Sequence, residues 1–338
     1  MRIGLLAPPW MPVPPGSYGG TEGVVDQLAR GLAATGQQVR LYALEGSSTP
    51  VPTICPPAIG GMPQMGNGPV ELRHVIDGYD ALADCDLIHD HTITGPAWAL
   101  ACRRHPVVVT CHGPIAGALH DIYRAYGRRL PLIAISHDQT ARAPDVRIAR
   151  VIHHGLDPVH FTAGRGDGHY LLFLGRMTPE KGVREAVEVA RRARCPLKVA
   201  AKMREPRELA YFAEQVEPLL GDDIEYLGEV DDPARLRLLG EALALLNPIR
   251  WAEPFGLVMI EALACGTPVI TRSAGAAPEI VQDGVTGFLC ADDDALVDAV
   301  RHVGELDRTR CRAAVRDNFT TDRMVDDHLR LYEEMLAA

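Results

Sequence analysis

Two stretches of this chain combine residue types that could handle an anion. In the first, Leu174-Gly-Arg-Met-Thr-Pro-Glu-Lys-Gly182, an apolar run ends and a helical pattern begins. Backbone N–H groups at such a strand-to-helix turn, with the positive end of the helix, attract negative charge. Arg176 and Lys181 add two full positive charges, which suits a diphosphate better than a single carboxylate. Taken alone, the stretch could also be a solvated turn with an ordinary helix-entry lysine. The second stretch, Trp251-Ala-Glu-Pro-Phe-Gly-Leu-Val-Met-Ile-Glu-Ala-Leu-Ala-Cys-Gly-Thr-Pro-Val-Ile270, sets Glu253 in a loop before a helix starting near Gly256. The amides of Phe255, Gly256, Leu257 and Val258 would be unpaired at its first turn. Glu261 follows Leu257 by one turn on the same face. Two carboxylates flanking a helix mouth can accept hydrogen bonds from sugar hydroxyls. Both acids could instead be surface groups, but Met259, Ile260, Ala262 and Leu263 make the helix look buried, and a buried glutamate needs a partner.

The first half offers Gly19-Gly20-Thr21, a flexible loop at a helix start, with Thr21 as the expected N-cap. His112, in Val109-Thr-Cys-His-Gly-Pro114, directly follows a strand pattern, where a neutral imidazole could orient an acceptor hydroxyl. A structural histidine is the competing reading. His89-Asp-His91 and His153-His154 invite a metal reading, but the rest of a ligand set is not found, and no metal is expected. The eight cysteines include no Cys-x-x-Cys pair and read as reduced, mostly core thiols. Gly-x-Gly-x-x-Gly after the first strand, a P-loop and a Gly-x-Ser-x-Gly elbow are all missing, which removes the main support for NAD, P-loop and α/β-hydrolase chemistry.

These residues need elements to hold them. Short apolar runs read as strands at Arg2–Ala7, Val39–Ala43, Leu87–His89, Val107–Thr110, Leu132–Ile135 and Val151–Ile152. The series restarts at Tyr170–Leu174, Leu197–Ala201, Ile224–Leu227, Ala244–Leu246, Pro268–Thr271 and Phe288–Cys290. Helical spacing lies between them, as at Val24, Val25, Leu28 and Leu32, over Val183–Arg194 and over Leu257–Cys265. Residues 8–20 and 46–69 read as loops. Apolar strands alternating with helices indicate parallel sheets covered on both faces. Two series predict an α/β protein of two doubly wound domains, residues 1–155 and 156–320, with a last helix over 321–338 that presents Met324, His328, Leu331 and Met335 on one face. Ligands of such sheets bind beyond the carboxyl ends of the strands, expected here in a cleft between the domains.

The 338 residues fit two domains, with 47% hydrophobic and 23% charged residues as in ordinary globular chains. A net charge of −10 argues against a fold-wide nucleic-acid or anionic-membrane footprint. No run reaches the ~18 apolar residues of a membrane span. The opening segment is broken too early by Pro8-Pro9 for a secretory signal, so a cytoplasmic protein is expected.

Taken together, the motifs resemble the retaining glycosyltransferases of family GT4. The matching pieces are Gly19-Gly20-Thr21-Glu22, Asp86-Leu-Ile-His89, Val109-Thr-Cys-His112, His154-Gly155-Leu-Asp157, Gly175-Arg176 with Lys181-Gly182, and Leu227-Gly-Glu-Val230. The most telling is Glu253-x7-Glu261, running on into Ala-Cys-Gly-Thr-Pro-Val and Gly275-Ala-Ala-Pro-Glu279. The resemblance implies the GT-B fold, with two Rossmann-like domains facing across a cleft and the C-terminal helix crossing back to the first. It implies a nucleoside-diphosphate sugar as donor, UDP favoured and GDP possible, with no cofactor and no metal. By the same resemblance Arg176 and Lys181 neutralise the diphosphate, Glu261 binds ribose and Glu253 the donor sugar. Phe255, Gly256, Leu257 and Val258 hold sugar and phosphate through their amides, Gly19 and Gly20 approach the phosphate, Val230 lies by the base, and His112 contacts the donor sugar. The chain departs from the family in having His154-Gly155 where Asn-Gly is frequent, and in a short first half, which implies an open acceptor site. Size and arginine-rich composition resemble antibiotic-tailoring members of the family, implying a soluble acceptor such as an antibiotic oligosaccharide. A nucleotide-sugar epimerase of the same fold and a non-catalytic nucleotide-sugar-binding protein are the other functions weighed.

Overall fold

A computed structural model of the chain describes residues 1–16, 19–57, 60–102 and 105–337; the expected loops 8–20 and 46–69 each include two residues outside this set, and the last helix one. The described residues form two compact units. Met1–Leu156 with Thr320–Ala338 make the first and Asp157–Phe319 the second.

In the first unit the strands are β1 (Arg2–Leu6), β2 (Gln38–Tyr42), β3 (Thr53–Ile54), β4 (Leu87–Asp90), β5 (Val107–Cys111), β6 (Leu132–Ala134) and β7 (Arg150–Val151). Among the described residues they pair in the order β3-β2-β1-β4-β5-β6-β7, every pair parallel. All five residues of β5 and all four of β4 are buried, as expected when helices cover both faces of a sheet, and in β4 this buries the polar His89 and Asp90 as well. Leu6, Val75, Leu82, Ile88, Val109 and Leu132 centre one core.

The second unit holds β8 (Leu171–Arg176), β9 (Leu197–Lys202), β10 (Ile224–Gly228), β11 (Ala244–Asn247), β12 (Val269–Arg272) and β13 (Gly287–Cys290). These pair in the order β10-β9-β8-β11-β12-β13, again all parallel. Its core is separate, built on Leu171, Phe173, Val187, Val199, Leu246 and Ile270. Each sheet winds outward both ways from its first strand, so the order reverses between β1 and β4 and between β8 and β11. A crevice opens beyond the strand ends at such reversals, because the two connecting helices leave on opposite faces.

Three local expectations change. Residues 46–69 are not all loop: β3 adds an edge strand, a 3-10 turn forms at Met62–Gln64, and a helix begins at Gly68 behind an Asn67 cap. Proline and glycine density hid a strand of only two residues. Thr21 is not an N-cap; the helix Gly20–Ala34 starts behind Gly19, with no side-chain cap. On the final helix, Thr321–Ala337, Met335 is only half-buried and Tyr332 is fully buried. That helix packs on Gly20–Ala34, where a Cβ at Gly31 would lie 2.4 Å from a Val325 methyl.

The chain leaves the first unit and returns to it at one place. Leu156 and Thr320 form a parallel bridge, and Thr321 N–H donates to Leu156 O at 2.9 Å. A Cβ on Gly155 would sit 2.2 Å from Thr320 O, so a residue without a side chain lets the two segments meet.

Candidate active site

The loops following β8 and β11 carry the charged residues singled out in the sequence, on the two sides of the order reversal in the second unit. Arg176 is the last residue of β8. Lys181 does not itself open a helix: it lies in a 3-10 turn, Pro179–Lys181, and Gly182 at φ +77° redirects the chain into the helix Val183–Ala193. A Cβ on Gly182 would meet Pro248 O at 2.3 Å, so the turn is pressed against the loop that follows β11. That contact delivers Lys181 to Glu253. Lys181 Nζ donates to Glu253 Oε2, with the two side chains only 18% and 15% exposed. Trp251 Nε1 donates to the same oxygen at 3.2 Å, and the ammonium stands 5.8 Å from the indole centroid.

Glu253 is held by its backbone as well. Ala276 N–H donates to Glu253 O at 3.0 Å, and a Cβ on Gly275, at φ +59°, would lie 2.4 Å from Glu253 N. Four residues after Glu253 the helix Leu257–Ala264 begins behind Gly256, itself at φ +95°. Phe255 and Val258 are buried, Gly256 and Leu257 half-buried. Amides of a first helical turn have no acceptor within the helix, so this end is suited to an anion. Glu261, 8% exposed, receives Arg235 Nη1 on Oε1 at 2.7 Å, and its Oε2 is buried with no described partner. Arg235 also pairs with Asp232, whose other oxygen meets His160 Nε2 at 2.7 Å. The sequence did not announce Arg235, since a helix arginine 26 positions away has no spacing relation to Glu261. Trp251 and Gly275 stood inside quoted motifs without a role.

Arg176 is held loosely, 3.7 Å from the buried Glu208. Its neighbour across the sheet is Lys202, which burial and the adjacent Arg204 keep below the usual lysine range. Val230 is half-buried in the link between β10 and the helix Asp232–Glu241 that carries Arg235.

In the first unit Gly19 caps the helix whose first residue is Gly20, and Gly23 N–H donates to Gly19 O at 3.1 Å. His112 follows β5 directly and is half-buried. Its Nε2 meets His91 Nδ1 at 2.8 Å, and burial pushes the imidazole down to about 3, so it is neutral at ordinary pH. The rings of His89 and His91 lie 4.0 Å apart, but His89 is engaged by Tyr332 OH at 2.6 Å and Thr110 Oγ1 at 2.7 Å.

The family model for Glycosyltransferase Family 4 matches residues 18–160, and the model for glycosyl transferases group 1 matches residues 161–317. The phosphatidyl-myo-inositol mannosyltransferase of Mycobacterium leprae (strain TN) is 28% identical over 344 residues, spanning 89% of this chain and 86% of that protein. AviGT4, a glycosyltransferase involved in avilamycin A biosynthesis, superposes with a TM-score of 0.79 at 26% identity, over 100% of this chain and 98% of that one. Anabaena Alr3699/HepE, solved in complex with UDP and glucose, gives 0.78 at 19% identity over 98% and 99%.

Proposed function

The chain belongs to glycosyltransferase family 4 as a retaining enzyme of the GT-B fold, and from that premise we propose that its second unit holds a nucleoside-diphosphate sugar for transfer to an acceptor hydroxyl. The observation that carries the proposal is the Lys181–Glu253 pair beside the open first turn of the helix Leu257–Ala264.

In glycosyl transfer the sugar becomes oxocarbenium-like while negative charge gathers on the departing diphosphate. Arg176, Lys181 and the amides of Phe255, Gly256, Leu257 and Val258 are fixed positive groups that would stabilise that charge where it forms. Lys181 already has a carboxylate partner, so its ammonium is pre-positioned and need not be ordered when the donor arrives. Glu253 binds the donor sugar, and Glu261 the ribose hydroxyls. Gly19 and Gly20 bring a side-chain-free backbone to the phosphate, His112 meets the donor sugar, and Val230 lies by the base. With cations supplied by side chains, no divalent metal is required.

Retention proceeds at the front face: a phosphate oxygen of the donor takes the proton of the acceptor hydroxyl as the glycosidic bond forms and the diphosphate leaves. Glu253, whose Oε2 accepts from Lys181 and Trp251, is assigned to sugar binding in this reading and not to nucleophilic attack. A trapped covalent glycosyl-enzyme would overturn this. UDP is the favoured nucleotide, consistent with the UDP complex of a fold neighbour, and GDP is the alternative. A polyhydroxylated soluble acceptor, of the antibiotic oligosaccharide kind, is the class favoured by likeness to a protein of avilamycin A biosynthesis.

The test is acceptor-dependent turnover of UDP- and GDP-sugars in the presence of a chelator, with product anomers read by NMR. Transfer with retained configuration supports the proposal. Donor consumed at speed without acceptor would mark an epimerase, and tight donor binding without turnover across an acceptor panel a binding protein.

A further inference from the structure

His112 is one of five buried or half-buried histidines gathered in the first unit, from the ends of β4 and β5, the exit of β7 and the last helix. Ring centroids lie 4.0 Å apart for His89 and His91, 5.1 Å for His91 and His112, 5.4 Å for His112 and His154, and 5.3 Å for His89 and His328. They do not form a metal centre: His89 is engaged at both nitrogens, and His328 Nδ1 is bonded to Met324 O at 2.7 Å. The contact that bears on chemistry is the bond between His91 Nδ1 and His112 Nε2, 2.8 Å long.

A hydrogen bond between two neutral imidazoles needs one N–H and one lone pair, so its proton belongs either to His91 Nδ1 or to His112 Nε2. The far nitrogen of His91 decides between them. His91 Nε2 is sealed from solvent, and no described residue lies within hydrogen-bond reach of it. Were His112 the donor, His91 would carry its own proton on Nε2, leaving a buried N–H orphaned at its full desolvation cost. An unused lone pair is tolerated more readily than an orphaned N–H. The proton therefore sits on His91 Nδ1, which donates to His112 Nε2. The remaining proton of His112 is then on Nδ1, for which no described residue is a partner.

We propose that His91 is a positioning residue that locks His112 in the Nδ1-protonated tautomer, so that His112 meets substrate as a hydrogen-bond donor to an oxygen and not as a general base. The proposal rests on the placement of His112 in the active site argued above. It leaves deprotonation of the acceptor hydroxyl to the donor phosphate.

The tautomer can be read without substrate, by 15N NMR of histidine-labelled protein at neutral pH, with His112→Asn to assign the signal. Protonated Nδ1 and bare Nε2 on His112 are expected; a proton on Nε2 would overturn the inference. Kinetics give a second readout. His91→Leu removes the donor and should lower kcat/KM roughly tenfold, the size of one hydrogen bond. His91→Asn, which keeps a short amide donor near the Nδ1 position, should recover most of that loss, and His91→Leu should have no further effect on top of His112→Ala. Equal losses in the Leu and Asn variants at matched Tm would show a merely structural histidine. An unchanged kcat/KM in His112→Ala would instead remove His112 from the site, while the NMR result would still decide the tautomer.

Discussion

Lys181 and Glu253 show how much of this site lies in single residues. A lysine and a glutamate 72 positions apart are joined because Gly182 presses its turn onto Pro248, and the pair is mostly withdrawn from solvent. Removing the ammonium should act on the transition state more than on folding. We expect Lys181→Ala to lower kcat by about 10²–10³, as for other preorganised groups facing developing charge, and to lower Tm as well, because Glu253 is left without its cation in a largely buried place. Lys181→Arg should recover only part, since the guanidinium has a different shape and reach. Steady-state kinetics with melting curves check this; an unchanged kcat in Lys181→Ala would remove the residue from the machinery. Arg176, Lys181, Glu253 and Glu261 could be proposed from the sequence because each stands in or within one turn of a strand-to-helix passage whose pattern is local. Arg235 could not, because its pairing with Glu261 depends on how two helices pack.

At the scale of elements, most of the strands were legible to within a residue or two, since most are short, largely apolar runs of the kind that a parallel sheet covered on both faces demands. What escaped was what patterns do not encode. β3 is two residues long on a sheet edge, and the 3-10 turn before Val183 depends on a left-handed glycine rather than on periodicity. Gly275 is the sharpest case of an element serving the site, because its positive φ and its approach to Glu253 both exclude a side chain. Gly275→Ala should therefore displace the Glu253 loop, lower stability by about 1–3 kcal/mol and reduce turnover together. Thermal melts and kcat/KM on one sample check it; a wild-type Tm with wild-type activity would contradict the fit described for this loop.

The whole molecule adds a property that no motif holds. Burial pushes His74 and His328 down to about 4 and His112 to about 3, and holds His89, His91 and His154 well below the ordinary histidine value. In the unfolded chain these imidazoles protonate near 6.5, so between pH 6.5 and 4 the unfolded state binds protons that the folded state refuses. Stability is thus complete above 6.5 and is lost as pH falls, at about 1.4 kcal/mol per pH unit for each such histidine. Asp90 runs the other way: burial raises it to about 7 despite donors from Tyr79 and Thr92, so it offsets one histidine across that window. Melting temperature should fall steeply from pH 7 to pH 5, and a flat profile would contradict a neutral histidine cluster. The central claim belongs to this scale too, because it concerns what the second unit is built to hold. Calorimetric titration of the full chain with UDP, GDP, ADP and dTDP in the presence of a chelator tests it most directly, alongside Lys181→Ala and Glu261→Gln. One nucleoside diphosphate, UDP foremost, should bind without metal, and each substitution should weaken it about tenfold or more, the worth of one charge-assisted hydrogen bond. No binding by any diphosphate, or binding untouched by both substitutions, would contradict the account.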